Sequence, residues 1–394
     1  MLTLEIAGSA TGFAMPPVVI DLRNAEDWRD VVHRIVQTLA EGGLVALPTE
    51  TVYGVAASAL NENAVERLMS LKERTAAKPL ALAIKSVDEA RDYAPDMCSL
   101  AERLARRCWP GPVTLVVDNS HPESLVHRLP PLVRQAVSPR QTVGLRVPGH
   151  QVVHDVLCML AGPLTLSSAN HAGKPEAVNA QEVLDAFGSS IDLIIDDGPC
   201  RFGQPSSVVQ VRQGCYEVLR VGVVPERTLR RLSSLLVLFV CTGNTCRSPM
   251  AEMLCRQMLA ERLHCGIDEL EDRGVLVMSA GIAAMLGGQA SGEAVRVMAD
   301  MGLDLTGHET QPLTEPLVHH ADVIFTMTRS HRDALLAQWP SAVGRTHLLS
   351  PGGLDVSDPI GASVERYRQC AEEIQANLRV RLDDLPLSAE LKRP

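Results

Sequence analysis

Nine consecutive residues, Cys241-Thr242-Gly243-Asn244-Thr245-Cys246-Arg247-Ser248-Pro249, hold the parts of a phosphoryl-transfer site. They lie between an apolar run, Leu235–Val240, and a helical pattern over Pro249–Leu263. A loop so placed opens a helix N-terminus, where unpaired N–H groups and the helix dipole favour an anion. Gly243 permits a tight turn around a phosphate. Asn244, Thr245, Cys246 and Ser248 complete the phosphate-binding wall, and Arg247 can hold two phosphoryl oxygens at once. The same positive field favours the thiolate of Cys241, the nucleophile. Attack by that thiolate needs an acid for the leaving atom and then a base for water. Asp358, within Asp355-Val356-Ser357-Asp358-Pro359, follows the last strand candidate and can reach the first loop across the same sheet edge. Cys246 reads equally as a core thiol and as a redox-protective neighbour of Cys241. His319, His320 and His331 lack metal-ligand spacing and are expected at the surface or at helix ends, and no metal site is expected.

A second set of polar clusters lies nearer the N-terminus: Pro48-Thr49-Glu50-Thr51-Val52-Tyr53-Gly54, then Lys72 to Leu80, then Ser167 to Pro175. Arg146, Ser206, Ser207 and Arg220 gather at strand ends. Lys72, Arg74 and Lys78 supply cations for a polyphosphate or a carboxylate. Ser168 and Asn170 supply a hydroxyl and an amide on a turn. Neither a Walker nor a Rossmann loop is present. Residue types and spacing define only an anion-binding cleft, and a solvated charged loop is the plainer reading of Lys72–Lys78.

These clusters need elements to position them. Up to about Gly222, strand candidates are Val18–Asp21, Leu44–Leu47, Val113–Val117, Thr142–Val147, Leu193–Asp196, Ser207–Val211 and Tyr216–Val221, with an amphipathic helix over Asp27–Glu41. Strands and helices do not alternate regularly, so a twisted mixed α/β sheet is expected over residues 1–222. Val223–Ser234, rich in Arg, Ser and Pro, reads as a connector with a helical turn. From Leu235 to Leu385 strands and helices alternate: Leu235–Val240, Pro249–Leu263, Val275–Met278, Gly292–Met301, Asp322–Met327, Ser330–Gln338, Thr346–Leu349 and Val364–Leu382. That order predicts a doubly wound parallel sheet with its ligand at the strand carboxyl ends.

Composition narrows the classes. The chain has 394 residues, enough for two cores, and a formal net charge of −10, so no global basic field draws it to nucleic acid or anionic lipid. Aromatics at 3% leave no membrane belt and argue against a base-stacking platform. Ten cysteines spread over this length do not form the framework of a small secreted domain. Met1–Pro17 has no basic n-region and carries Glu5, so it does not read as a signal peptide, and a cytoplasmic location without membrane contact is expected.

The segment Leu235–Leu385 resembles the low-molecular-weight protein phosphatases, through the cradle, Ser279-Ala280-Gly281 and the Asp358-Pro359 loop. The resemblance implies Cys241, Arg247 and Asp358 as catalytic residues without a cofactor, acting on phosphorylated proteins. Thr245 stands where tyrosine phosphatases usually carry an aliphatic residue, and this resembles bacterial protein arginine phosphatases. Ile360 follows Asp-Pro where an aromatic would stack on a phosphotyrosine ring, and Ile360 cannot stack. Phosphoarginine is therefore favoured over phosphotyrosine. The segment Ala40–Gly222 resembles the threonylcarbamoyl-AMP synthases, through Lys72, Arg74, Ser168 and Asn170. That family joins L-threonine, bicarbonate and ATP, with magnesium on the triphosphate, for tRNA modification by other enzymes. The resemblance implies threonine contacts at Thr51, Arg146, Ser168 and Ser206. It implies ATP contacts at Lys72, Arg74, Lys78, Thr142, Asn170 and Arg220. Ala83 in place of a His, Val178 in place of a Thr and Ser207 in place of a Thr depart from the pattern. An RNA-binding module without catalysis remains the competing reading of this half.

Overall fold

The structure, a computed structural model, describes residues 17–72, 78–383 and 385. It divides into two compact units: residues up to 97, 108–212 and 216–225, and residues 98–107, 213–215 and from 226 onward. Relative to the expected continuous first domain, residues 98–107 fall in the second unit.

The first unit contains β1 (Val18–Asp21), α1 (Trp28–Ala40), β2 (Val45–Leu47), β3 (Gly54–Ser58), α2 (Glu62–Leu71), β4 (Ala81–Ala83) and α3 (Ala90–Tyr93). After α4 (Ser99–Cys108) come β5 (Val113–Asp118), α5 (Pro131–Val137), β6 (Thr142–Arg146), α6 (Gln151–Met159), β7 (Leu164–Ser168), α7 (Ala180–Phe187), β8 (Leu193–Asp196), β9 (Ser207–Arg212) and β10 (Cys215–Arg220). The strands form one mixed ten-stranded sheet in the order β1-β8-β2-β3-β7-β4-β6-β5-β9-β10. Helix α1 begins where the Asp27 carboxylate accepts from Arg29 N. It buries Val31, Val32, Ile35 and Leu39, and these pack with Val152 and Val156 of α6 over β2 and β8.

Strand period decides the rest. Val113, Leu115 and Val117 of β5, Val143 and Leu145 of β6, and Val209 and Val211 of β9 are buried. The alternate residues Thr114, Val116, Thr142, Gly144, Arg146, Val208, Gln210 and Arg212 share the other face and line a cavity. Short side chains there make the hollow: Ala81 and Ala83 of β4, Gly144 of β6 and Gly54 of β3.

Residues Glu226–Ser233, read as connector, form helix α8, which buries Leu229. The second unit then runs β11 (Leu235–Cys241), α9 (Arg247–Leu263), β12 (Val275–Gly281), α10 (Gly292–Asp300), α11 (Glu315–His320), β13 (Val323–Thr326), α12 (Arg329–Gln338), β14 (Thr346–Leu348) and α13 (Val364–Arg381). Its parallel sheet has the order β12-β11-β13-β14, the doubly wound arrangement expected. Every residue of β11 is buried. Leu235, Val237, Phe239 and Cys241 face the layer of α9, α10 and α13. Leu236, Leu238 and Val240 face the layer of α11 and α12. Buried on both faces, the strand reads as a continuous apolar run. Within this unit Arg103, Arg106 and Arg107 of α4 pair with Asp322 at 3.0, 2.6 and 2.8 Å. Burial pushes the Asp322 carboxyl up, and these arginines outweigh it, so it sits below its usual range. Among the described residues no helix is long and apolar enough to cross a membrane.

Candidate active sites

The first site grows from the carboxyl end of β11. Cys241 is its last residue, and α9 starts six residues later at Arg247. The turn between them requires Asn244 to adopt φ 56°, a left-handed conformation that a residue with a Cβ enters at a cost. Asn244 is fully buried and heavily bonded. Its N–H points at Cys241 Sγ (3.2 Å), and its amide Nδ2 donates to Ser248 Oγ (3.0 Å) and Ser279 Oγ (2.8 Å). Its Oδ1 accepts from Gln311 N at 2.9 Å. Ser248 Oγ lies 3.0 Å from Cys241 Sγ, so a hydroxyl and a backbone N–H both converge on the sulfur. The two contacts fix the sulfur at the floor of the loop.

Arg247 is buried, with Nη1 donating to Val356 O (3.3 Å) and Nη2 to Asp358 Oδ2 (2.6 Å). The Asp358 side chain remains 47% exposed at the mouth. The loop after β14 thus brings the Asp358 carboxylate onto the Arg247 guanidinium. The exposed Thr242 meets a group expected at the surface or at a helix end, His331, which lies in the first turn of α12. His331 is buried, its Nε2 2.8 Å from Thr242 Oγ1 and its Nδ1 2.9 Å from Thr328 Oγ1. Burial, reinforced by Arg247, pushes this imidazole down to about 4. Its signal was faint, because a lone His on a helix carries no partner spacing. His319 and His320 do end a helix, α11. Cys246 is buried, and its sulfur lies 3.2 Å from Tyr367 Oη and 3.5 Å from Ser291 Oγ. Burial, with the Cys246 sulfur beside it, pushes the Tyr367 hydroxyl up to about 12. Thr245 and Gly243 are half-buried, and Ile360 is 69% exposed.

The second site is the cavity of the first unit, about 490 Å³. Its lining includes Thr142, Arg146, Ser168, Ser206 and Arg220, all expected, and also Arg140, Arg212 and Thr114. Arg146 is buried, with Nη2 donating to Glu50 Oε1 (2.8 Å) and Thr51 Oγ1 (2.9 Å), and Nε to Gly111 O (3.2 Å). Glu50 was not singled out from the sequence, yet it pairs with this arginine and also accepts from Gly149 N at 2.9 Å. Thr51 is fully buried behind Arg146, bonded to Thr49 Oγ1 at 2.8 Å, and is absent from the lining. Arg220 donates from Nη2 to Ser206 O (2.9 Å) and Ser206 Oγ (3.1 Å), and Ser206 Oγ lies 3.1 Å from Thr114 Oγ1.

Lys72, Ser168 and Asn170 form one network beside the cavity. The buried Lys72 Nζ donates to Ser168 O (2.7 Å), Asn170 Oδ1 (2.9 Å) and Asn170 O. Ser168 Oγ donates to Asn170 Oδ1 at 2.7 Å. Lys72 is thus built into the site and is not a solvated charge. Lys78 is exposed and outside the lining, and Arg74 lies outside the described residues. Ala83 lines the cavity where the resemblance led one to expect a His. Ser207 faces away, its Oγ donating to Val224 O.

Comparison with known proteins gives two families. The Sua5/YciO/YrdC family, described as "Telomere recombination", matches residues 37–222. The low molecular weight phosphotyrosine protein phosphatase family matches residues 236–393. The threonylcarbamoyl-AMP synthase of Pyrococcus abyssi is 35% identical over 216 residues, 55% of this chain, and the chain spans only 60% of that relative's length. The threonylcarbamoyl-AMP synthase of Chromohalobacter salexigens is 33% identical over 50% of this chain and 99% of its own length. Among solved structures, the YwlE arginine phosphatase from Geobacillus stearothermophilus is 31% identical, with a TM-score of 0.34, over 38% of this chain and 92% of that one. A low molecular weight protein tyrosine phosphatase from T. tengcongensis is 35% identical, with a TM-score of 0.35, over 39% and 100%. The chain therefore belongs to the threonylcarbamoyl-AMP synthase family through residues 37–222 and carries a low molecular weight phosphatase domain over residues 236–393.

Proposed function

We propose that the chain is a bifunctional enzyme. Its first unit forms threonylcarbamoyl-AMP and pyrophosphate from L-threonine, bicarbonate and ATP, and its second dephosphorylates protein phosphoarginine through Cys241.

The observation that supports the synthase reading is the cavity lining, which carries arginines and hydroxyls and no carboxylate among the described residues. Arg146, fixed by Glu50 and Thr51, presents Nη1 for the amino-acid carboxylate, with Ser206 and Ser168 nearby. Arg220 adds charge where pyrophosphate departs. A magnesium ion would be held by phosphate oxygens, since the lining offers it no carboxylate among the described residues. The test is ATP–pyrophosphate exchange. It should require both threonine and bicarbonate. RNA binding without exchange would leave the first unit a binding module.

In the second unit the thiolate of Cys241 attacks phosphorus, and the bond to the leaving nitrogen breaks as Asp358 supplies its proton. Asp358 then takes a proton from water, which releases phosphate from the sulfur. Arg247 and the backbone N–H groups of the loop hold the phosphoryl oxygens throughout. Thr245 supports phosphoarginine, because its hydroxyl can accept from a guanidinium. Exposed Ile360 supplies no ring for phosphotyrosine stacking. Turnover of phosphoarginine peptides should exceed that of phosphotyrosine peptides, and Thr245→Ile should shift the ratio toward tyrosine by roughly 10–200-fold, the range of one pocket group. A wild type that prefers phosphotyrosine would reverse the assignment of this substrate.

A further inference from the structure

The second unit holds a cavity of its own, about 340 Å³, which no residue from Cys241 to Ser248 lines. One wall is a single face of α9, where Pro249, Glu252, Met253 and Arg256 follow the i, i+3, i+4, i+7 spacing. The other wall is the segment after α10, from Asp304 to Gln311. Apolar walls from Pro249, Met253 and Leu305 with a few polar groups are the make-up of a small-molecule site. Glu252, Asp304 and Glu309 set three carboxylates against the guanidinium of Arg256, so the cavity is acidic. The Asp304 Oδ1 is turned to Thr306, accepting from its N–H and its hydroxyl. Glu252 differs. Its Oε2 accepts from Ser279 Oγ at 2.7 Å. Its Oε1 has only Arg256 Nη1 among the described residues, at 3.9 Å, beyond hydrogen-bond reach. Burial pushes this carboxyl up, against the pull of Ser279, His308 and Arg256.

The same wall supports the phosphate loop. Ser279 Oγ, held by Glu252, accepts from Asn244 Nδ2 at 2.8 Å. His308 Nε2 lies 2.9 Å from Asn244 O. Gln311 N donates to Asn244 Oδ1, and Gln311 Nε2 donates to Ser279 O, both at 2.9 Å. Asn244 in turn makes the left-handed turn from which its N–H points at Cys241 Sγ. A ligand that orders this wall therefore orders the cradle without touching the phosphate.

We propose that this cavity binds a small organic cation, an amine or a guanidinium compound, on Glu252, and that the bound cation tightens the hold of the cradle on phosphate. The inference goes beyond the phosphatase reading and shares with it only the cradle as a phosphate site. A cation supplies the charged donor that Glu252 Oε1 lacks. It also keeps Glu252 ionised, the stronger acceptor for the Ser279 hydroxyl. The effect is reciprocal, so phosphate tightens the cation as well.

Isothermal titration of the full chain with butylamine, agmatine and, as an uncharged control, butanol tests this. Both cations should bind, and butanol should not. Glu252→Gln keeps the shape and should weaken both cations by about tenfold or more, the loss expected for a hydrogen bond to a charged group. Arg256→Ala removes the competing guanidinium from a half-buried position and should tighten them. Should Glu252→Gln fail to fold, Arg256→Ala decides alone. Inorganic phosphate should bind the agmatine-saturated chain about fivefold more tightly, or better, than the free chain. Cations that do not bind, or that bind both variants as they bind the wild type, overturn the site. An unchanged phosphate affinity overturns its link to the cradle. A wild type that binds no phosphate overturns the phosphatase reading, while the cation titrations still decide the site.

Discussion

His331 shows how one side chain ties the loop after β11 to solution pH. Its ring is buried between Thr242 and Thr328, and burial with nearby Arg247 pushes it down to about 4 from an ordinary 6.5. As pH falls through 6.5 the unfolded chain takes up a proton that the native ring refuses. The folded state therefore loses stability between about 6.5 and about 4, and is indifferent to this group above that window. His331→Gln should keep a hydrogen bond to one hydroxyl and remove the proton linkage. The denaturant midpoint for loss of phosphatase activity should then fall less across that window in the variant than in the wild type. Equal slopes would show that His331 does not titrate as its surroundings require.

Loops carry both chemistries, but the elements behind them leave little room for change. Gly281, at the end of β12, lies against the cradle. A Cβ there would stand 2.6 Å from Thr242 O, 2.7 Å from Ala284 Cβ and 2.9 Å from Asn244 N. Two of those atoms are backbone of the phosphate loop and cannot turn away. Gly281→Ala should therefore destabilise by ~1–3 kcal/mol, the range of overpacking, and lower phosphatase turnover more than threonine-dependent exchange. Thermal unfolding with both assays checks it, and an unchanged kcat would mean that the cradle tolerates displacement. Elements of this second unit were legible because each carries its own period: β11 is a continuous apolar run, and α9 opens on the arginine of the motif. The first unit was less legible. Strands β3 and β4 carry Gly and Ala residues that leave a cavity rather than fill a core, and β7 alternates only over Leu164-Thr165-Leu166 before Ser167-Ser168 ends the pattern. Glu50 was hidden for a related reason: its partner, Arg146, is 96 residues away, and only the fold brings the two charges to 2.8 Å.

At the scale of the whole chain, the formal charge of −10 and the arginine-lined cavity are compatible, because charge acts locally where water is excluded. The same locality bears on why two families share one chain. The cradle is built from the four-stranded parallel sheet and the cavity from the ten-stranded mixed sheet, and no lining residue of the cavity belongs to the cradle. Joining them covalently ensures equal amounts of both sites. Thermodynamic coupling needs more: each ligand must change the affinity of the other. A substitution confined to the sulfur of one site alters neither the charge nor the packing of the other cavity. Cys241→Ser should therefore abolish phosphoarginine hydrolysis, retain phosphate binding, and leave the KM for ATP and threonine within the roughly fivefold change at which coupling of ~1 kcal/mol begins. Arg146→Ala should do the reverse, raising the KM for threonine without altering phosphatase turnover. Both assays run on both variants decide the matter. A Cys241→Ser chain whose exchange activity shifts beyond that limit would reveal a linkage that adds a regulatory purpose to the fusion.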